Sequence, residues 1–158
     1  MNTTSVVALA FAIGVISGLR SMMAPTVVSW AAYLGWLDLQ GSRLSFLASP
    51  IAVSILTALA AVELVMDKLP KTPSRKSLVP LLARIVLGGF SGAVLCTAAS
   101  QSPILGAVLG GLGAVTGTFA GYEARTRLLR SLRVPDFVVA LLEDGVAIGG
   151  GLFIVSQF

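Results

Sequence analysis

Residues 104–120 read ILGAVLGGLGAVTGTFA, an uncharged apolar run long enough to form a helix. Residues 51–62, IAVSILTALAAV, form a second run of this kind. Neither run shows the alternation of apolar and polar residues, over segments of about ten residues, that a transmembrane β-barrel requires. Because a segment in lipid must satisfy its own backbone polar groups, such runs favour helices. The sequence therefore predicts an all-α fold, a polytopic transmembrane helix bundle.

The composition supports this prediction and excludes several function classes. Of the 158 residues, 56% are hydrophobic and 11% are charged, against about 25% charged residues in a soluble domain. The net charge of +4 comes mainly from basic residues between the apolar segments, so we expect membrane lipids and no nucleic acid as partners. Histidine is absent and Cys96 is the single cysteine, which excludes a disulfide framework, His- or Cys-based zinc sites and His-dependent catalysis. We expect no cofactor, and the sequence does not assign a metal.

The apolar segments predict about six helices within one integral membrane domain, residues 1–158. The predicted spans are residues 5–24, 26–40, 49–67, 78–99, 103–122 and 135–157. The first has no basic residue before it, which favours a first helix over a cleaved signal peptide. The second is shorter than the roughly 20 apolar residues of a full crossing. A tilted short helix, a re-entrant segment and an interfacial helix stay open for it.

Two connections between predicted helices are basic. Their basic residues are Lys68, Lys71, Arg75 and Lys76 in one, and Arg125, Arg127, Arg130 and Arg133 in the other. Two predicted helices separate the connections, so both face one side, which the positive-inside rule makes the cytoplasmic side of a bacterial inner membrane. If the second predicted span crosses the membrane, Arg43 is the only basic residue on the non-cytoplasmic side. Six crossings are therefore favoured over an interfacial second segment.

The two halves of the chain, residues 1–77 and 78–158, share short matches. Ser17-Gly18 corresponds to Ser91-Gly92, and Glu63 after an alanine-rich run corresponds to Glu143. Since each half holds three predicted helices, a duplication would be an inverted 3+3 repeat, as in many transporter folds. Matches this short also arise by chance, so duplication and coincidence both stay open.

Glycines four residues apart recur in the last three predicted helices. They are Gly88 and Gly92, Gly106 and Gly110, Gly113, Gly117 and Gly121, and Gly145 and Gly149. Small faces let helix backbones approach in lipid and gain dispersion contacts. The pattern is typical of close packing within one bundle, and a homodimer interface is the alternative.

Charged residues inside or beside the predicted spans form the candidate site. They are Arg20, Glu63, Asp67, Arg84, Glu143 and Asp144. A charge at the centre of a helix in lipid costs about 2.5–3.5 kcal/mol on insertion scales, so it faces protein or water and often marks function. We interpret these residues as lining a polar cavity that binds an ion or a headgroup. An ion-pair network that fixes helix register and snorkelling side chains are the alternatives.

Several motifs resemble those of a known family. They are Gly18-Leu19-Arg20-Ser21-Met22 before Pro25, DKLPKTP at residues 67–73, Gly121-Tyr122 before Arg125, and Pro135-Asp136 before Glu143-Asp144. Over nearly the whole chain they resemble the bacterial membrane family called domain of unknown function 4126. The resemblance implies a membrane location and, because the family's activity is unassigned, no substrate.

Three hypotheses for function follow. A small transporter or channel for an ion or solute rests on the inverted repeat and on the intramembrane charges. A lipid-binding or lipid-modifying enzyme would use Glu143 and Asp144 as acid, base or Mg²⁺ ligands, with Arg20 or Arg84 on a phosphate. Adjacent residues point about 100° apart on a helix, and no motif of a lipid enzyme is visible, so an enzyme is not favoured. The third hypothesis is a structural membrane protein whose charges only pack.

Both termini are expected outside the cytoplasm, and the connections at Lys71 and Arg130 inside it, because of the distribution of basic residues. The measurement uses two reporters fused to the C-terminus, one active only in the cytoplasm and one active only outside it. Activity of the cytoplasmic reporter would contradict this orientation.

Overall fold

The computed structural model describes residues 2–66, 78–132 and 135–158. Within these ranges the chain forms six α-helices, one short 3-10 helix and no strand. The α-helices are α1 (Thr3–Leu19), α2 (Met23–Tyr33), α3 (Pro50–Met66), α4 (Leu78–Ala98), α5 (Pro103–Leu132) and α6 (Asp136–Val155), and the 3-10 helix is Ser45–Ala48. The predicted all-α fold with about six helices is confirmed, whereas the inverted repeat stays a prediction.

The helices differ in length and apolar character. Among the described residues, α4, α5 and α6 are long and apolar enough to cross a membrane. α1 and α3 are apolar over 17 residues each, or about 25 Å of helix. α2 has only 11 residues, of which nine are buried inside the protein. This burial supports a short helix within the bundle and argues against the interfacial interpretation of the second segment.

The prediction of one helix over residues 5–24 is wrong at its C-terminal end. α1 ends at Leu19 because Arg20 has an extended backbone, with φ −140° and ψ 113°. α2 then begins at Met23 and has Pro25 in its first turn, where the missing N–H removes no helical hydrogen bond. Arg20 therefore lies at a break between two helices and not inside one.

The second and fifth predicted spans also differ from the helices that form. α2 ends at Tyr33, and Gly35 follows with φ +80°, a left-handed conformation that glycine adopts readily. α5 continues past residue 122 to Leu132. In this polar extension Arg127 Nε donates to Glu123 Oε1 at 2.8 Å, an i,i+4 pair that supports a helix without an apolar run.

The centre of the bundle is a close approach of α1, α4 and α5 at Gly110. A Cβ on Gly110 would overlap the backbone of Gly88 on α4, and a Cβ on Gly14 of α1 would overlap the backbone of Gly110. Backbone contacts of the same kind join Gly92 to Gly106 and Gly117 to Val15. Only a hydrogen atom fits at these positions, so the predicted close packing within one bundle is confirmed for these glycines.

Gly145 and Gly149 on α6 do not share this packing. A Cβ added at either position would have no neighbour within 4 Å among the described residues. Both glycines are exposed. The repeat of small residues on α6 therefore does not serve packing inside the described bundle, and the homodimer interface stays a prediction for this face.

α2 lies in the main apolar cluster, together with the connection between α2 and α3, residues 34–49. Leu37, Leu39 and Leu47 of this connection are buried in the same apolar cluster as α2. Ser29 Oγ on α2 donates to the Leu47 carbonyl at 2.7 Å. The connection thus packs into the bundle and holds α2 between it and the neighbouring helices.

Gly110→Ala is expected to destabilise the protein, because the added methyl group must displace the backbone of α4. The expected cost is that of overpacking a core, about 1–3 kcal/mol. Gly145→Ala is the matched control, since its methyl group meets open space and alanine favours a helix by about 1 kcal/mol over glycine. Circular dichroism of both variants in one detergent gives the melting temperatures, and equal values would contradict the close packing at Gly110.

Candidate functional site

Charged residues of several helices lie where α1, α3 and α5 end and where α4 and α6 begin. We call this group the charged end, and it comprises Arg20, Glu63, Arg84, Arg125, Asp136, Glu143 and Asp144. Five of these residues were predicted from the sequence, and their role in binding stays a prediction. The sixth predicted residue, Asp67, lies outside the described residues.

Arg20 and Asp144 form a buried ion pair between the end of α1 and α6. Arg20 Nη2 lies 2.5 Å from Asp144 Oδ1, and the two side chains are 0% and 9% exposed. Arg20 is the largest fully buried side chain of the described residues. Removing one partner of such a pair leaves an uncompensated buried charge and costs about 3–5 kcal/mol. The pair therefore links α6 to the break between α1 and α2, and loss of one partner would be costly.

Arg125 on α5 contacts two carboxylates of α6. It donates to Asp136 from Nε at 3.0 Å and from Nη2 at 2.6 Å, and from Nη1 to Glu143 Oε2 at 3.3 Å. The Glu143 side chain is 9% exposed and that of Asp136 is 62% exposed. Arg125 thus joins α5 to α6 along a line from the protein interior to the surface.

Sequence reasoning assigned Arg125 to a basic connection and did not include it or Asp136 in the site. A signal was present in the helical spacing, because Arg125 follows Gly121 by one turn and shares its face. The signal was not decisive, since the predicted helix ended at residue 122. Only the continuation of α5 through Arg125 places this guanidinium on a helix.

Glu143 and Asp144 take partners on different helices. Their side chains point about 100° apart, Glu143 toward Arg125 and Asp144 toward Arg20. The described residues hold no group of three histidine, cysteine, aspartate or glutamate side chains that could bind a metal ion. This geometry does not support joint use of the two carboxylates on one metal ion or one substrate.

Glu63 on α3 binds the backbone at the start of α2. Its Oε1 accepts from Ser21 N at 2.7 Å and from Ser21 Oγ at 2.5 Å, and its Oε2 accepts from Met22 N at 2.8 Å. Met22, the residue before α2, makes no side-chain capping bond of its own. A carboxylate at a helix N-terminus satisfies free N–H groups and complements the helix dipole. Glu63 therefore caps α2 from a neighbouring helix.

Arg84 joins the charged end through its backbone. Its side chain is buried, and its carbonyl accepts from Ser17 Oγ on α1 at 3.0 Å. Ser17 is itself fully buried. The contact adds a polar link between α1 and α4 beside their close-packed glycines.

An apolar groove lies beside the charged end, between α5 and α6, with Leu19 of α1 at its base. Its cavity volume is about 170 Å³. The lining residues are Leu19, Gly121, Ala124, Arg125, Leu128, Val139, Leu142, Glu143 and Val146. A Cβ on Gly121 would run into the end of the Leu19 side chain, so glycine at this position keeps the base of the groove open. We call this feature the α5/α6 groove.

Comparison with known proteins gives one match. The family model described as a domain of unknown function, number 4126, matches residues 7–157. No curated protein and no solved structure matches the chain. The matched range includes the charged end and the α5/α6 groove, and the family description states no activity, so a function has to be argued from this geometry.

Glu63→Ala is expected to lower the melting temperature, because two backbone N–H groups at the start of α2 lose their acceptor. Each lost hydrogen bond to a charged group is worth about 1.5–3 kcal/mol. Glu123→Ala is the matched control, since the exposed Glu123–Arg127 pair contributes about 1 kcal/mol or less. Thermal unfolding by circular dichroism tests both. A Glu63→Ala protein as stable as Glu123→Ala would show that the cap does not hold α2.

Proposed function

The chain belongs to the family called domain of unknown function 4126, and we propose that it is a multi-pass inner-membrane protein that binds the hydrocarbon chain of a lipid. The α5/α6 groove is the observation that carries this proposal. It combines apolar walls with a neighbouring cluster of charged groups. An amphiphile has the matching chemistry, with an apolar chain and a polar head.

The walls of the groove favour hydrocarbon over water. The apolar residues that line the groove include Ala124, Leu128, Val139 and Leu142. A water molecule in a cavity needs two to four polar partners, and among the lining residues only Arg125 and Glu143, which pair with each other, have polar side chains. An empty groove would forfeit the dispersion contacts of its walls. A lipid chain fills such a space without either cost.

The position of the groove along α5 agrees with a lipid near the membrane surface. α5 has 30 residues, or about 45 Å of helix, whereas the hydrocarbon core is about 30 Å thick. If Pro103 lies near one surface, α5 leaves the hydrocarbon close to Gly121, where the groove begins. The exposed Asp136 carboxylate then lies at the level of headgroups and water.

Transport of a small ion or solute is the second candidate function. One observation favours it, since the Arg20–Asp144 pair puts opposite charges between two helices, and intramembrane charges often mark transport pathways. Both side chains are buried, so transport would require them to separate and admit water. Ion flux through the purified protein in liposomes, absent in Asp144→Asn, would favour transport, and a lack of flux together with retained lipid would favour lipid binding.

Native mass spectrometry of the purified protein is expected to show retained lipid. Ala124→Trp should reduce the retained lipid, because the indole fills the α5/α6 groove. Ala61→Trp is the matched control, since Ala61 is exposed on α3 and does not line the groove. Equal lipid retention by the two variants would contradict binding in the groove.

A further inference from the structure

The packing of α6 differs in kind from that of α1, α4 and α5. A Cβ added to Gly150 or Gly151 of α6 would first meet the side chains of Ile16 and Val27. Most glycines of α1, α4 and α5, among them Gly14, Gly92 and Gly110, would instead place a Cβ against backbone atoms. The flexible end of Ile16 can adjust to a small shift by changing rotamer, whereas backbone contacts cannot. α6 is therefore attached to the bundle by a less rigid interface.

Three ion pairs hold α6, and those of Glu143 and Asp144 favour a particular rotation of the helix, whereas the Arg125–Asp136 pair lies at its first residue. Asp144 points to Arg20 and Glu143 points to Arg125, and consecutive residues diverge by about 100°. A rotation of α6 that improves one pair thus displaces the other. The N–O distance of the Arg20–Asp144 pair is shorter than that of the Arg125–Glu143 pair, and the Arg20 side chain is fully buried. Removing one partner of this pair would leave a buried charge without its counterion, so its loss is expected to affect α6 most.

The rotation of α6 matters for the α5/α6 groove. α6 supplies Val139, Leu142 and Val146 to one wall, and α5 supplies the opposite wall. α5 is held to α1 and α4 by the backbone contacts around Gly110. The width of the groove therefore depends on where α6 lies.

We propose that Arg20 and Asp144 are positioning residues that set the width of the α5/α6 groove by fixing α6. The pair does not line the groove and acts through the helix. One consequence rests on the proposed function: loss of the pair is expected to weaken lipid retention. The position of α6 itself can be measured without any lipid.

The experiment measures the distance between α5 and α6 by electron paramagnetic resonance in a Cys96→Ala background. Spin labels at positions 130 and 141 report on α5 and α6, since Arg130 and Leu141 are exposed and do not line the groove. Asp144→Asn is expected to broaden this distance distribution, and Asp144→Glu to restore a narrow one because it keeps the charge. Labels at positions 86 and 112, which are exposed on α4 and α5, should give the same distribution in every variant.

A second variant guards against a folding defect in Asp144→Asn. Arg20→Met with Asp144→Leu replaces both charged side chains by apolar side chains of similar volume. Proteins often tolerate such a replacement of a buried ion pair. The folded double variant should again give a broad α5–α6 distribution, with a loss of retained lipid in native mass spectrometry. Narrow distributions in both variants would overturn the positioning role. If the variants give broad distributions but the unsubstituted protein retains no lipid, the positioning role would be supported and the proposed function contradicted.

Discussion

The close approach of three helix backbones at Gly110 is the constraint on which the rest of the bundle depends. Helices in lipid gain little from the hydrophobic effect when they associate, so dispersion between close surfaces supplies much of their attraction. Gly14, Gly88 and Gly110 bring α1, α4 and α5 into backbone contact. This contact sets how α1, α4 and α5 lie against one another, and therefore how the segments that carry Arg20 and Arg125 are placed.

Polar interactions attach the other helices to this glycine core. Glu63 holds α3 to the start of α2, and the arginines Arg20 and Arg125 hold α6. In a low-dielectric interior such contacts are directional and strong when paired, and costly when one partner is removed. The bundle thus combines a centre of closely packed backbones with outer helices that add polar contacts to their apolar packing, and the α5/α6 groove lies beside the contacts of α6.

The structure changes how the candidate residues are understood. Arg20, Asp144 and Glu63 each take a protein partner from another segment in the described structure, and their part in binding a ligand stays a prediction. Glu143 lines the α5/α6 groove beside Arg125, a residue absent from the predicted site. The groove proposed to bind lipid lies next to these charged residues.

The sequence by itself determined the helices and their apolar character. Runs such as residues 104–120 have to be helical in lipid, because the backbone has no other way to satisfy its hydrogen bonds, and glycines four residues apart identify small helix faces. Only the tertiary structure decided which neighbour each face meets. Gly110 and Gly145 belong to the same kind of repeat, yet one contacts two helices and the other contacts nothing described. Glu143 and Asp144 are adjacent, yet they pair with different arginines. Periodicity gives the direction of a side chain around its own helix axis, but its partner depends on the rotation and position of the other helices, which come from packing across the whole bundle.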